Sequence, residues 1–514
     1  MGSNQIQHVF VLILENRSFD HLLGFSGLQG TDAATGAPTK INGLSGTESN
    51  TFGGQSFPVT QESLFRMPAD PGHEFANVLE QLCGPSANYP NSGAYPAIDN
   101  SGYVASYVAS GGSNPADLMK CFTAAQLPVL NALANEFVVC DNWHASMPGP
   151  TWPNRMFVHA ASSGGLDHSP MTAEILEWET LDGFSFANGS IFDALKQKGI
   201  TRCLYAGDDF PMVAALKGIQ LGDIRQFSDF AGDLAQPSFL FSYVFIEPSY
   251  DVLNDYKSGT SQHPLADITQ GEALIKATYE AIRGSAVWAS SLLIITWDEH
   301  GGFYDHATPP AAVAPGDTAP NSKNNQTGFT FEQHGPRVPA IAISPLIPRN
   351  LIDHRLYDHS SIPATIEEIF GLSALTHRDA AANRLAALAT LTTPRLDAPA
   401  TLPLPADSGA GLSHALALMQ TPAAEALSVS RPADTVNQGS LPAILQSALH
   451  QDLAVSPPEQ RAAILERVRS IQSREQARAY MQEVRRKIAA SNKRGKKIGM
   501  KSWNDSWKVP GFLR

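Results

Sequence analysis

The chain has 514 residues, 43% of them hydrophobic and 17% charged, with a formal net charge of −13. No apolar run reaches the roughly eighteen residues a membrane-spanning helix needs, and so acidic a chain does not suit a nucleic-acid-binding protein. The charge is uneven, because residues 455–514 hold 15 of the 36 Lys and Arg but only 5 of the 49 Asp and Glu. This length allows one large α/β domain with insertions or two to three smaller domains. No basic segment followed by an apolar stretch and a cleavage site precedes the first strand, so the expected compartment is the cytoplasm, or the exterior after removal of a signal. Cys83, Cys121, Cys140 and Cys203 lack metal-ligand spacing and read as isolated thiols.

In chain order, His8 to Leu14 is a continuous apolar run that breaks into Glu15-Asn16-Arg17-Ser18-Phe19-Asp20-His21. Such a run fits a parallel strand covered on both faces, and ligands of open α/β sheets collect at the carboxyl ends of such strands. Residues 24–71 are rich in Gly, Thr, Ser, Asn and Pro and read as a long surface insertion. A helix over Phe122 to Phe137 leads to Val138-Val139-Cys140-Asp141, and another is predicted from Met156 to Ser162 with Pro153 near its first turn. Ile191 to Gly199 is helical, and Ile200 to Tyr205 and Ser242 to Ile246 are strands. A helix near Gly271 to Arg283 precedes the strand Leu292 to Trp297, which ends in Asp298-Glu299-His300. Val338 to Ser344 is a further strand and Ser361 to Phe370 a further helix.

This alternation predicts an α/β fold, a mostly parallel sheet with helices on both faces, over residues 1–380. Residues 381–514 read as a largely helical appendage rich in Ala, Leu, Thr and Pro. It contains a basic helix at 458–497, with Arg461, Arg467, Arg469, Arg474, Arg478, Arg485, Arg486 and Lys487, ending in Lys493-Arg494-Gly495-Lys496-Lys497. A helix of this kind can lie on anionic lipid, pack on the acidic body or join a partner subunit.

Two strand tips, Glu15-Asn16 and Asp298-Glu299, bring carboxylates and an amide oxygen to one sheet edge. Hard oxygen ligands suit a divalent cation such as Ca²⁺, Mg²⁺ or Mn²⁺, and Zn²⁺ also accepts carboxylates. Thr151 lies in Gly149-Pro150-Thr151-Trp152-Pro153-Asn154-Arg155, a turn entering a helix whose free N–H groups favour phosphate. A threonine in that position is commonly just an N-cap. His73, His263 and His306 stand in polar turns, where an imidazole near a phosphoryl centre can donate to its oxygens or protonate a leaving alkoxide.

Three strings, Glu15-Asn16-Arg17-Ser18-Phe19-Asp20-His21, Pro148-Gly149-Pro150-Thr151-Trp152-Pro153-Asn154-Arg155 and residues 296–306 (Thr-Trp-Asp-Glu-His-Gly-Gly-Phe-Tyr-Asp-His), resemble the phosphoesterase family. The family includes bacterial phosphatidylcholine-hydrolysing phospholipases C, plant non-specific phospholipases C and acid phosphatase A. Supporting strings are Asp70-Pro71-Gly72-His73, Gln262-His263-Pro264, Gly335-Pro336-Arg337-Val338-Pro339 and Tyr357-Asp358-His359-Ser360-Ser361. The resemblance covers about residues 6–380. It implies a fold like that of the alkaline phosphatase superfamily, one or more metal ions and a hydroxyl nucleophile.

By motif, Glu15, Asn16, Asp298 and Glu299 match the metal ligands, Asn16 also a phosphate ligand, and Thr151 a nucleophile that touches the metal. His263 and His306 match acid–base histidines, while His73, Asn154 and Arg155 are counted with the substrate-binding residues. Threonine at 151 looks like the phospholipase C members, since the acid phosphatase members carry serine there. His300 and His334 depart from the pattern and read as local variants rather than ligands. The implied activity is a metal-dependent phospholipase C cleaving glycerophospholipids through a phospho-threonine. The alternatives are an acid-phosphatase-type phosphomonoesterase and a non-catalytic lipid-binding protein. Head-group choice is expected to reside in residues 24–71 and 208–260.

Overall fold

The computed structural model describes residues 5–179, 183–219, 221–318, 322–409, 436–437 and 440–497. Nine strands of its central sheet concern the site: β1 (His8–Leu14), β2 (Gln29–Asp32), β3 (Pro38–Lys40), β4 (Val138–Cys140), β5 (Arg202–Ala206), β6 (Tyr243–Glu247), β7 (Ser291–Trp297), β8 (Ala340–Ile343) and β9 (Leu351–Asp353). Their order is β5-β6-β1-β7-β8-β4-β9-β2-β3. β1 lies in the middle, parallel to β6 on one side and to β7 on the other, in a register that sets Leu14 beside Trp297. Residues Val9 to Leu14 are fully buried, so β1 has no solvent face and therefore no polar alternation. Each such side chain contributes about 1.5–3 kcal/mol of burial.

β8 runs antiparallel to both β7 and β4, a reversal inside an otherwise mostly parallel sheet. The insertion at 24–71 also differs from the loop expected of it. β2 and β3 extend the sheet, and Ser49–Phe52 pairs with Gln55–Pro58 as a hairpin. That hairpin turns on Gly53 and Gly54, at φ 58° and 76°, the two consecutive positive φ values a tight two-residue turn requires. Strands this short and polar bury too little to leave a hydrophobic pattern.

Helices flank the sheet in two groups. Pro128–Glu136 packs against Ile268–Arg283, and the buried Glu272 carboxylate accepts the Val129 and Leu130 N–H groups at 2.8 and 2.9 Å, capping the first helix from the second. Helix α1 (Thr151–Ala160) packs with α2 (Ser361–Phe370) and with Ile191–Lys198. α1 begins five residues earlier than the sequence predicts, because Pro153 falls inside the first turn, where its missing N–H costs nothing.

The chain divides into two compact units, one of Met1–Ser169, Phe186–Asp208 and Gln226–Glu425, the other of Pro170–Ser185, Asp209–Arg225 and Ala426–Arg514. The first therefore runs past residue 380, and the second gathers two segments distant in sequence. Within the second unit, α3 (Leu441–Val455), α4 (Arg461–Arg469) and α5 (Arg474–Lys497) bury Leu445, Leu449, Val468, Tyr480 and Val484. Four cations of the basic helix region are paired inside the unit: Arg467 with Glu483, Arg469 with Glu466, Arg485 with Asp209, and Lys487 with the buried Asp452. The side chains of Lys493, Arg494, Lys496 and Lys497 lie outside the described residues. Among the described residues no helix is long and apolar enough to cross a membrane. The four cysteines are free.

One buried cation fixes the segment after β1. Arg337 Nε donates to Asp305 Oδ1 at 2.8 Å and its Nη2 to Asp20 Oδ1 at 3.0 Å, while the guanidinium lies 4.4 Å from the Phe19 ring centre. Its Nη1 donates to the Asn42 and Asp141 carbonyls at 2.9 and 2.8 Å. Because all three charged partners are buried, removing the cation strands two carboxylates without solvent. Arg337→Met is expected to cost about 3–5 kcal/mol in denaturant unfolding; a loss below about 1 kcal/mol would show that the clamp is not structural.

Candidate active site

At the end of β1 the backbone turns through Asn16, at φ 59°, a conformation asparagine tolerates better than most residues. The turn lets the Asn16 N–H donate to Asp298 Oδ1 at 3.0 Å, and the Glu299 N–H donates to the same oxygen at 2.7 Å. The Arg17 N–H donates to the Glu299 carbonyl at 2.9 Å. Gly301 packs so closely here that a Cβ would sit 2.1 Å from the Asn16 carbonyl oxygen. The tips of β1 and β7 are thus joined, with Glu15, Asn16, Asp298 and Glu299 all buried.

Thr151 comes from the other side. Pro150 is the N-cap of α1 and supplies no side-chain cap, so the Thr151 hydroxyl has no capping duty; it donates to Asn16 Oδ1 at 3.2 Å. Asn154 and Arg155, expected among the substrate-binding residues, are buried and bonded to neighbouring parts of the chain. The Asn154 amide accepts the Met147 N–H at 3.1 Å and donates to the Gly149 and Pro150 carbonyls at 2.9 and 3.1 Å, holding the turn before Thr151. Arg155, one turn beyond Thr151, donates through Nε to Asp298 Oδ2 at 2.9 Å and through Nη2 to the Leu14 carbonyl at 3.1 Å. Its Nη1 is 3.7 Å from Glu247, and the guanidinium lies over the Tyr250 ring. Both side chains hold the segment around Thr151 from inside the fold.

The carboxylates are crowded in a dry site. Burial pushes Glu15 up to about 8, against the pull of Arg155 and with a further push from Asp298. Burial likewise raises Asp298 to about 6, opposed by Arg155 and assisted by Glu299. Glu299 Oε1 is buried with no hydrogen-bond partner among the described residues, although its Oε2 accepts the Gly301 N–H at 2.7 Å. Excess negative charge on hard oxygens, one of them unsatisfied, fits a divalent cation held by Glu15, Asn16, Thr151, Asp298 and Glu299. A second acidic cluster, Asp20, Asp305 and His306, also has the spacing of a metal site, but the Arg337 guanidinium already fills the cationic position there.

His73 donates through Nδ1 to the Pro71 carbonyl at 3.0 Å and presents Nε2 to the Asn16 amide nitrogen at 3.4 Å. Burial would lower its pKa, yet Glu299 and Asp70 raise it to about 9. His263 stands next to His73, ring centres 6.4 Å apart and nearly perpendicular, with Nε2 3.5 Å from Asp70 Oδ2.

His306 is placed apart from this group. Its Nδ1 bonds Asp20 at 2.7 Å and its Nε2 faces Asn42 at 3.3 Å, inside the Arg337 clamp. His300, expected to be incidental, lies 3.3 Å from Glu299 and shares a 2.7 Å bond with Gln81. His334 faces Arg378. Sequence reasoning missed His359, whose Nε2 donates to the Asp298 carbonyl at 2.5 Å while its Nδ1 accepts from the Trp143 indole at 3.2 Å. The signal was present in the string at 357–361, where a histidine follows a strand end.

The inward role of Arg155 is testable. Arg155→Met is expected to cost about 3–5 kcal/mol of stability by stranding Asp298. A variant of unchanged stability with only a raised KM would return Arg155 to the substrate.

Comparison with known proteins shows the family of the chain. Residues 6–373 match the model of the phosphoesterase family. Non-specific phospholipase C6 of Arabidopsis thaliana is 36% identical over 427 residues, covering 78% of this chain and 76% of that protein. Phospholipase C B of Mycobacterium tuberculosis strain H37Rv is 28% identical over 403 residues, covering 71% of this chain and 74% of its own. A solved structure of a protein in the alkaline phosphatase superfamily from Vibrio parahaemolyticus aligns with 48% of this chain and 61% of that one, at 16% identity and a TM-score of 0.28, a likeness too slight to add to the fold described above. The chain belongs to the phosphoesterase family and is a hydrolase of phosphoric ester bonds.

Proposed function

We propose that the protein is a metal-dependent phospholipase C that cleaves glycerophospholipids to diacylglycerol and a phosphorylated head group by way of a phospho-threonine at Thr151. The observation that carries this reading is the Thr151 hydroxyl, free of capping and held at 3.2 Å by Asn16 at the start of a helix with no side-chain cap. The dipole of that first turn favours a phosphate beside the hydroxyl. Arg155, tied to Asp298, and Asn154, tied to the 147–150 turn, hold the hydroxyl in place so that attack on phosphorus needs little reorganisation. A divalent ion on Glu15, Asn16, Thr151, Asp298 and Glu299 would lower the pKa of the hydroxyl and screen the phosphate charge. Thr151 Oγ1 forms the new bond to phosphorus while the bond to the diacylglycerol oxygen breaks, and water later hydrolyses the phospho-threonine.

The names of the relatives support a phospholipid substrate over a simple monoester. Threonine at 151 is in line with that reading. The membrane contact expected of residues 458–497 has less behind it, since four of its cations already have partners inside their own unit.

Thr151→Ala is expected to lower kcat by about 10³-fold or more with an unchanged melting temperature; near-normal turnover would remove Thr151 from the mechanism. Exhaustive chelation, checked by elemental analysis, is expected to abolish activity, and full activity without metal would end the cation assignment. Release of phosphocholine from phosphatidylcholine should outpace hydrolysis of a simple phosphomonoester, and the opposite order would favour the phosphatase reading.

A further inference from the structure

His263 is held from several directions by a backbone that departs from ordinary conformation. In the connection leading to it, Asp251, Asp255, Tyr256 and Gln262 all take left-handed φ, at 50°, 54°, 62° and 69°. Aspartate tolerates this region, whereas a bulky tyrosine does not, and such strain persists only where packing over-determines it. For Tyr256 that packing is a face-to-face stack on the His263 ring, with centres 3.5 Å apart and planes within 5°. Arg17 holds the backbone behind the ring, donating through Nε to the Gln262 carbonyl at 2.7 Å and through Nη2 to the His263 carbonyl at 3.3 Å. Gln262 in turn accepts from the indole of Trp297, the residue before Asp298, at 3.0 Å.

The partners of the ring assign its proton. The Leu265 N–H donates to Nδ1 at 3.2 Å, so Nδ1 offers a lone pair and the proton resides on Nε2, facing Asp70 at 3.5 Å. A histidine that delivers a proton to a leaving alkoxide must pass through the doubly protonated form. Here that form would point an Nδ1 proton at the Leu265 N–H. Burial, with His73 and Arg17 close by, also holds the ring well below its ordinary pKa. The distance to Asp70 lies at the limit of hydrogen bonding, so the Nε2 donor is only loosely engaged.

We propose that Tyr256 is a positioning residue whose stacked ring fixes His263 as a neutral Nε2–H donor to an anionic substrate oxygen, in place of the proton-delivering role its motif implies. This rests on the reading above, in which the group around Thr151 takes a phosphate ester. A neutral donor preset in a dry site stabilises charge that develops on a phosphoryl oxygen without reorganising at the moment of reaction.

The test uses the full chain. Nitrogen NMR of the imidazoles, with His263 assigned by comparison with His263→Gln, should show a ring protonated on Nε2 that does not titrate between about pH 5 and 8. Kinetics on phosphatidylcholine should show Tyr256→Phe, which keeps the stack, within about twofold of the parent. Tyr256→Ala should lower kcat and kcat/KM together by about 10²-fold. A His263 ring that gains a proton on Nδ1 near neutral pH overturns the proposal, as does wild-type kcat in Tyr256→Ala or an equal loss in Tyr256→Phe and Tyr256→Ala. Should Tyr256→Ala not fold, Tyr256→Leu takes its place, and the spectrum decides on the parent protein alone. Absence of any phosphoesterase activity in the parent would fail the reading of the site while leaving the tautomer measurable.

Discussion

The site depends on a single carboxylate. Asp298 accepts the backbone N–H groups of Asn16 and Glu299 with one oxygen and Arg155 Nε with the other. The first oxygen joins the tips of two adjacent parallel strands, and the second ties them to the helix that begins with Thr151. Asp298 is fully buried, so its charge is poorly screened and each bond to it is stronger than at a surface. The arrangement uses the anionic charge of Asp298 for alignment and leaves Glu299 Oε1 without a hydrogen-bond partner among the described residues. Alignment and unsatisfied charge together are what the proposed cation site beside the Thr151 hydroxyl rests on.

Further supports radiate from that carboxylate. His359 bonds the Asp298 carbonyl, and the Arg337 clamp fixes the segment after β1 from the far side of Asn16. These are buried charges and rings bonded to one another within the protein, so removal of one partner leaves another buried group uncompensated. Phosphoryl transfer asks mainly for positioning and charge neutralisation, so a rigid shell around a few oxygens is the economical design for it.

Much of this was legible in the sequence because it obeys local rules. β1 and β7 are continuous apolar runs ending in acids, and a strand buried on both faces leaves that signature. Thr151 was legible as a hydroxyl at a helix start, although the pattern could not show that Pro150 takes the N-cap position and leaves the hydroxyl without a capping role. Strand direction was not legible: β8 has the same apolar texture as its parallel neighbours and runs the other way. The short strands of 24–71 bury too little to show. Asn154 and Arg155 were found but their partners inside the fold were not, since a motif gives residue types at a spacing and not the distant groups they meet. The second unit's segments at 170–185 and 209–225 are united only in space.

The central claim is that Thr151 carries the phosphoryl group between two half-reactions. The most direct measurement is an acid quench during turnover of phosphatidylcholine, followed by mass analysis of the peptide that holds residues 148–155. The account predicts a peptide heavier by one phosphoryl group, located on Thr151, which disappears when substrate is exhausted. An unmodified peptide under conditions where product is still forming and Thr151→Ala remains active would contradict it.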